Sequence, residues 1–356
     1  MNYRSEIDGL RAIAVLPVIL FHAGIGLFGG GFVGVDVFFV ISGYLITTII
    51  LADLKQDKFI IVKFYERRAR RILPALFFVT FCCIPFAYLT LLPNELVNFG
   101  RSLVAVPTFL SNILFWSERG YFGGATELKP LIHTWSLAVE EQFYLVFPVI
   151  LMILWYQLRK WTGTFILVTI LCSLYVSWFL TDLHFETAFY LPFARAWELM
   201  VGAAAAYYGK QLSNLGNQYS GILSISGFSL IFYAIFSFDK TTNFPGLSAT
   251  IPVIGTFLLI IAGPRKNIVN SFLSSPLLVK IGLMSYSLYL WHQPIFVFFR
   301  HLNLSDFIII IGIPLSFILA LFSYRFIETP FRNRSKFSMK NIFTYSFIAS
   351  LVSIVL

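Results

Sequence analysis

The chain has 356 residues, of which 58% are hydrophobic and 12% charged, and its mean hydropathy of +0.80 excludes a soluble domain in favour of an integral membrane protein. The apolar runs are long and unbroken rather than short and alternating, which excludes a transmembrane β-barrel. The formal net charge of +9 does not imply nucleic-acid binding, because membrane proteins distribute basic residues by topology.

A helix of about 20 residues spans the hydrocarbon core. Eleven runs meet that need: 9–28, 32–51, 72–92, 138–157, 163–181, 190–208, 220–238, 246–263, 279–299, 306–327 and 341 onward. The predicted fold is therefore an all-α polytopic membrane protein of about ten transmembrane helices plus an eleventh at the C-terminus, with a central cavity between helices. The first run lacks a small-residue cleavage site and carries ionisable residues, so it is expected to stay in the mature protein. Cys82, Cys83 and Cys172 lie inside predicted spans with no ligand spacing, which reads as packing rather than a metal site or disulfide.

Within the first two runs, Arg11 and His22 are eleven positions apart, which brings both to one helix face about 16 Å apart along the axis. Gly29, Gly30, Gly31 and Gly34 permit a tight hairpin. Asp36 lies about as far past that turn as His22 lies before it, which predicts comparable depth on adjacent helices. Ionisable residues in a membrane face a polar cavity or one another. An imidazole titrates near neutrality and can act as a general base oriented by a carboxylate; the structural alternative is a His–Asp pair that locks the hairpin.

The next connection reads KFYERRARRILPAL. Positive-inside charge accounts for part or all of it. Arg67, Arg68, Arg70 and Arg71 beside Tyr65 also suit a ligand with several phosphates, which guanidinium groups bind bidentately. Basic residues recur on alternate connections, with Arg159 and Lys160, Lys210, Arg265 and Lys266, then Arg332, Arg334, Lys336 and Lys340 on the same side as this cluster. The opposite connections hold only Arg101, Arg119, Lys129, Lys240 and Arg300. That asymmetry predicts a cytoplasmic N-terminus. The long outer connection from Pro93 to about Leu137 contains RSLVAVPTFLSNILFW, which reads as an interfacial or re-entrant helix.

Further on, HTWSLAVEEQFYLVFP places His133, Trp135, Glu140, Glu141 and Tyr144 at the outer end of the fourth run. At least one of the two adjacent carboxylates should face the interior and could support His22; the alternative is that they cap the helix N-terminus. Arg195 and Glu198 lie one turn apart and either bind sugar or pair with each other. Tyr286, Tyr289, Trp291 and His292 fall in the ninth run, where aromatics pack, line a membrane belt or stack on sugars. Glu328 near Arg325 and Arg332 reads as an ion pair at a helix end.

These motifs, IDGLRAIAVLPVILFH, GGFVGVDVFFVISGYLI, RRARRILPA, HTWSLAVEEQFYL, SYSLYLWHQP and YRFIETPFR, closely resemble those of the acyltransferase family 3 membrane proteins, which include bacterial O-antigen and peptidoglycan O-acetyltransferases. The resemblance implies transfer of an acyl group, usually acetyl from cytoplasmic acetyl-CoA, to a hydroxyl of an extracytoplasmic glycan across the bacterial inner membrane. It implies His22 as the catalytic residue, Arg11 as an inner-side partner, and Arg68 and Arg71 as contacts for the coenzyme's phosphates. Residues 1–336 would form the transmembrane acyltransferase domain. Residues 337–356 would begin an additional span, such as leads in some members to an extracytoplasmic domain of the SGNH hydrolase class. Two other readings fit intramembrane ionisable residues: a proton-coupled transporter or flippase of a glycan or small anion, and a structural or sensory membrane protein. A carrier has no need of the arginine cluster, and the chain shows no convincing internal repeat.

Overall fold

The computed structural model describes residues 3–118 and 126–355; Arg119 lies outside the described residues. Among the described residues all regular structure is helical. The principal helices are α1 (Ser5–His22), α2 (Gly34–Leu54), α3 (Ile61–Thr90), α4 (Thr134–Gln157), α5 (Thr162–Leu183), α6 (Pro192–Tyr207), α7 (Gly209–Ser237), α8 (Thr250–Ala262), α9 (Ser285–His301), α10 (Asp306–Ser323) and α11 (Met339–Val355). Each predicted run overlaps one of them.

Among the described residues, six stretches are long and apolar enough to cross a membrane: Gly31–Leu54, Ile61–Thr90, Thr134–Gln157, Arg159–Leu183, Gly209–Ser237 and Ile308–Arg332. The count is below the expected ten or eleven for a physical reason. Helix α1 carries Glu6, Asp8 and Arg11 within 18 residues, and α6, α8 and α9 have 16, 13 and 17 residues, short of the roughly 20 that span a bilayer core.

Several boundaries differ from the sequence expectation. Helix α1 stops at His22 because Gly24 adopts φ +83, a left-handed conformation that suits glycine. Helix α3 starts at Ile61 rather than 72, so the arginine-rich segment is helical and not a loop. The expected interfacial helix over 101–116 is broken between Pro93–Ala105 and Ser111–Ser117, with Phe109 at φ 55 in the break. The ninth run is divided at Met284 into Pro276–Leu283 and α9. Helix α10 passes into a π-helical turn, Tyr324–Glu328.

The chain forms two compact units interleaved in sequence: a first of Met1–Phe21, Ile25–Phe59 and Val139–Ser285, and a second of His22–Gly24, Ile60–Ala138 and Tyr286–Leu356. In the first, small residues let helices approach backbone to backbone, the usual solution where lipid supplies no hydrophobic drive between helices. A Cβ on Gly43 would meet the Leu199 carbonyl oxygen at 1.8 Å, and one on Gly202 would meet that of Val40 at 2.0 Å, so α2 and α6 are locked by reciprocal contacts. Gly31 and Gly34 sit in the same way against the Pro17 and Ala14 carbonyls of α1, closing the predicted hairpin. Outward faces remain apolar: Leu167, Leu171, Tyr175, Trp178 and Phe179 of α5 are all exposed, a surface suited to lipid rather than water.

In the second unit α9 runs alongside α3. The Tyr286 hydroxyl donates to the Ile72 carbonyl, Trp291 packs on Phe78 and Phe298 on Phe86. On its other flank α9 meets the end of α10 in antiparallel register, with Ser287 Oγ donating to Glu328 (2.9 Å) and Trp291 Nε1 to Ser323 (2.7 Å). The segment after the π turn returns to α3, and Arg70 donates to the Phe331 and Phe337 carbonyls there. Replacing Gly202 by Leu should lower the thermal midpoint of detergent-purified protein, at a cost of at least about 1–3 kcal/mol, whereas Gly100→Ala, where an added Cβ meets nothing within 4 Å, should change it little.

Candidate active site

His22, the last residue of α1, is half-buried, and its backbone carbonyl accepts a hydrogen bond from Arg300 of α9. Two further imidazoles, both belonging to the second unit, converge on it. The His292 ring lies edge-on to that of His22 with centroids 5.1 Å apart, and the His133 ring lies 5.5 Å from that of His292. His292 is 0% exposed and His133 4%, so of the three only His22 reaches an open surface. Among the described residues, no group of three His, Cys, Asp or Glu side chains has the geometry to hold a metal ion.

Tyr289 ties the cluster together. Its hydroxyl donates to the His133 carbonyl (2.8 Å) and lies 2.6 Å from Ser136 Oγ, while its own carbonyl lies 2.7 Å from His292 Nδ1. A carbonyl only accepts, so Nδ1 of His292 carries the proton and Nε2 presents a lone pair when the ring is neutral. Burial first, and the neighbouring His22 imidazole second, push His133 down to about 3, which keeps it neutral at physiological pH. Trp135, 7% exposed, follows on the first turn of α4.

The arginines separate into two kinds. Arg70 is buried and engaged: Nε donates to Glu66 at 2.9 Å, Nη2 lies 2.8 Å from the same carboxylate oxygen, and Nη1 and Nη2 also donate to two carbonyls from the segment after the π turn. A phosphate would have to displace those partners, so the expectation that Arg70 joins in coenzyme binding gives way to a role in holding α3 to that segment. Arg67, Arg68 and Arg71 are half-buried and suit the outer oxygens of a polyphosphate. Tyr65, also half-buried, packs against Phe64, over which Arg68 lies at 6.0 Å. Tyr286 holds the carbonyl of Ile72, next to Arg71. From Tyr286 to His292 is six residues of α9, about 9 Å along its axis, so the arginine end of α3 and His292, the central ring of the imidazole cluster, lie on one helix pair.

The carboxylates belong to the first unit and have partners there. Asp36, 1% exposed, accepts from Arg195 Nη2 at 2.9 Å, and Arg195 Nε lies 3.1 Å from Glu198. Phe39, Phe189 and Phe244 surround the guanidinium at 5.6–5.9 Å. Arg195 and Glu198 thus form the expected pair, with Asp36 as an unexpected third member. Glu140 accepts from Ser42 (2.5 Å) and from Tyr144; Glu141 is half-buried beside it. Helix α4 begins at Thr134, a turn and a half earlier, so neither glutamate caps its N-terminus, where the dipole effect is confined to the first turn. Arg11 is paired with Asp8 at 3.5 Å.

Ser136, Arg300 and Ser42 were not apparent as site residues from the sequence. A signal for Ser136 was present in its spacing: it stands three residues after His133, as His292 stands three after Tyr289. Substituting Arg195 by Leu removes the sole described cation facing Asp36 and Glu198, and should destabilise the protein by about 3–5 kcal/mol, read as lost folded yield in detergent, whereas Arg67→Gln should leave that yield intact.

The acyltransferase family 3 profile, described as an acyltransferase domain, matches residues 4–325. The chain is similar to O-acetyltransferase OatA of Staphylococcus aureus strain NCTC 8325 / PS 47, at 32% identity over 351 residues covering 94% of this chain and 58% of the relative. It matches OatA of strains COL and MRSA252 at the same figures. The chain therefore spans 58% of the length of these relatives. No solved structure matches. The profile extends from the first turn of α1 into the π turn after α10 and includes the imidazole cluster and the arginine helix, and the chain accordingly belongs to acyltransferase family 3, as a multi-pass membrane protein.

Proposed function

We propose that this protein is a membrane O-acetyltransferase of the bacterial inner membrane, with its N-terminus in the cytoplasm. It moves an acetyl group from cytoplasmic acetyl-CoA to a hydroxyl of an extracytoplasmic glycan such as O-antigen. The observation that carries this reading is a shared helix pair: half-buried arginines lie at one end of α3, and about 9 Å along the adjacent α9 is the buried His292, whose ring faces the half-exposed imidazole of His22. Phosphates suit the first group and a thin pantetheine arm can reach the second, whereas the charged nucleotide would remain at the arginine end. Membership of acyltransferase family 3 and likeness to proteins named O-acetyltransferase support the same chemistry.

In this mechanism His22 takes the proton of the acceptor hydroxyl as the oxygen attacks the thioester carbonyl. The C–O bond forms, the C–S bond breaks, and the imidazolium returns its proton to the departing coenzyme A thiolate. The acetyl ester and free coenzyme A are the products. Arg67, Arg68 and Arg71 hold the coenzyme's phosphates; Trp135 and Tyr289 offer rings for a sugar.

His22→Ala should reduce acetyl-CoA-dependent acetylation of glycan by at least about 10²-fold, while the purified protein keeps its melting profile; retained acetylation would refute the assignment. Arg68→Gln and Arg71→Gln should raise the KM for acetyl-CoA about tenfold or more and leave kcat nearly unchanged, the pattern of lost ground-state binding.

A further inference from the structure

Helix α4 turns its faces to two different surroundings. Leu145, Val146, Val149, Ile153 and Tyr156 are exposed, and at about 100° per residue they fall on one side of the helix, the lipid face of a span. Tyr144, Phe147 and Leu151 are buried and fall on the other. Glu140 precedes Val149 by nine positions, about two and a half turns, so it projects from the middle of the buried side. Its neighbours on that side are 0–4% exposed, yet Glu140 itself is only half-buried. The opening at Glu140 therefore faces the protein interior and not the lipid, as suits an ionisable side chain within a span.

The contacts of Glu140 show what this carboxylate lacks. Ser42 of α2, itself half-buried, donates to Oε1 at 2.5 Å, and Tyr144, one turn along α4, donates to the same oxygen. Among the described residues these are its only polar contacts, and no basic side chain pairs with it. Two donors on one oxygen fix the plane of the carboxylate. Oε2 is left with no described donor and is not among the enclosed polar atoms. An acceptor in that state, in a low-dielectric surrounding, calls for a donor from outside the chain. Glu141 projects about 100° away around the helix and points elsewhere.

The chemistry of Oε2 selects the ligand. It takes O–H or N–H donors, and its charge repels phosphate, so the nucleotide end of coenzyme A does not belong here. A glycan suits it: beside the hydroxyl that reacts, a sugar carries others that need partners once they leave water. The amide N–H groups of a pantetheine arm are donors of the same kind, and kinetics separates the two sources.

We infer that Glu140 is a specificity-determining residue of the acceptor site: its Oε2 accepts a hydrogen bond from a glycan hydroxyl other than the one acetylated, while Ser42 and Tyr144 hold the carboxylate in place. The inference rests on the reading of the protein as a glycan O-acetyltransferase. Glu140 contacts the acceptor and not the reacting atoms, so its loss weakens acceptor binding and spares the chemical step.

The test measures kcat and the KM of each substrate for the full chain in detergent or nanodiscs. Acetyl-CoA is the donor, and the acceptor is the source cell's own envelope glycan, stripped of acetyl esters by mild alkali. Glu140→Gln keeps an oxygen for Ser42 and Tyr144 and puts an N–H donor in place of Oε2. It should raise the KM for glycan about ten- to a hundred-fold, the range for a hydrogen bond to a charged group, and leave kcat and the KM for acetyl-CoA nearly unchanged. Ser42→Ala and Tyr144→Phe, which free the carboxylate to turn, should raise the glycan KM by less, about two- to fivefold. A glycan KM in Glu140→Gln equal to that of the wild type overturns the inference and leaves Glu140 a packing residue. A rise in the KM for acetyl-CoA as large as that for glycan gives the opening to the pantetheine arm and overturns it as well. Should Glu140→Gln fail to fold, the two hydroxyl variants decide, an unchanged glycan KM in both being the overturning result. No acetylation by the wild type, or undiminished acetylation by His22→Ala, would instead overturn the underlying functional reading, a separate outcome.

Discussion

A polar group inside this protein has almost no water to turn to, and the arrangement of the molecule follows from that shortage. Arg195 shows the constraint most plainly: a fully buried guanidinium held between Asp36 and Glu198 and walled by three phenylalanine rings. Such a cluster adds little net stability by comparison with an apolar core, but losing one member leaves an uncompensated charge. It therefore fixes how α2 and α6 meet, at the place where Gly43 and Gly202 already bring their backbones together.

The same rule organises the second unit through a different set of residues. Glu328, 0% exposed, is met by Ser287 and Arg332, and Arg70 by Glu66 and two backbone carbonyls. The π turn Tyr324–Glu328 places Glu328 against α9; π turns are frequent near functional sites because they re-aim a side chain at the cost of one irregular turn. These anchors hold α9 along α3, and that pairing is what sets the distance between the arginines and the imidazoles. Only one of the four clustered arginines is consumed in building the frame.

The imidazole cluster uses the shortage of water in the opposite sense. Two imidazole rings within about 5.5 Å of a third, that of His292, cannot all be charged together with it in a low-dielectric setting.

Much of this was legible in the sequence. Uninterrupted apolar runs can only be helices, because lipid leaves no other way to satisfy a backbone, and the intramembrane positions of Arg11, His22, Asp36, Arg195 and Glu198 marked them as paired or functional for the same reason. The i,i+3 spacing of Arg195 and Glu198 already implied their contact, since it depends only on helical geometry. Local signals also had limits: the start of α3 eleven residues early, and of α4 at Thr134, turned a supposed loop and a supposed cap into helix interior. What the chain could not disclose alone was which distant residues would meet. Comparable depth made Asp36 the natural partner of His22, yet depth says nothing about the direction a side chain takes around its helix axis, and packing gave Asp36 to Arg195 and His292 to His22. Likewise four adjacent arginines are equivalent as text. The positions of Glu66 and of the returning backbone after the π turn give Arg70 its buried partners, because partner choice is settled by contacts between residues hundreds of positions apart.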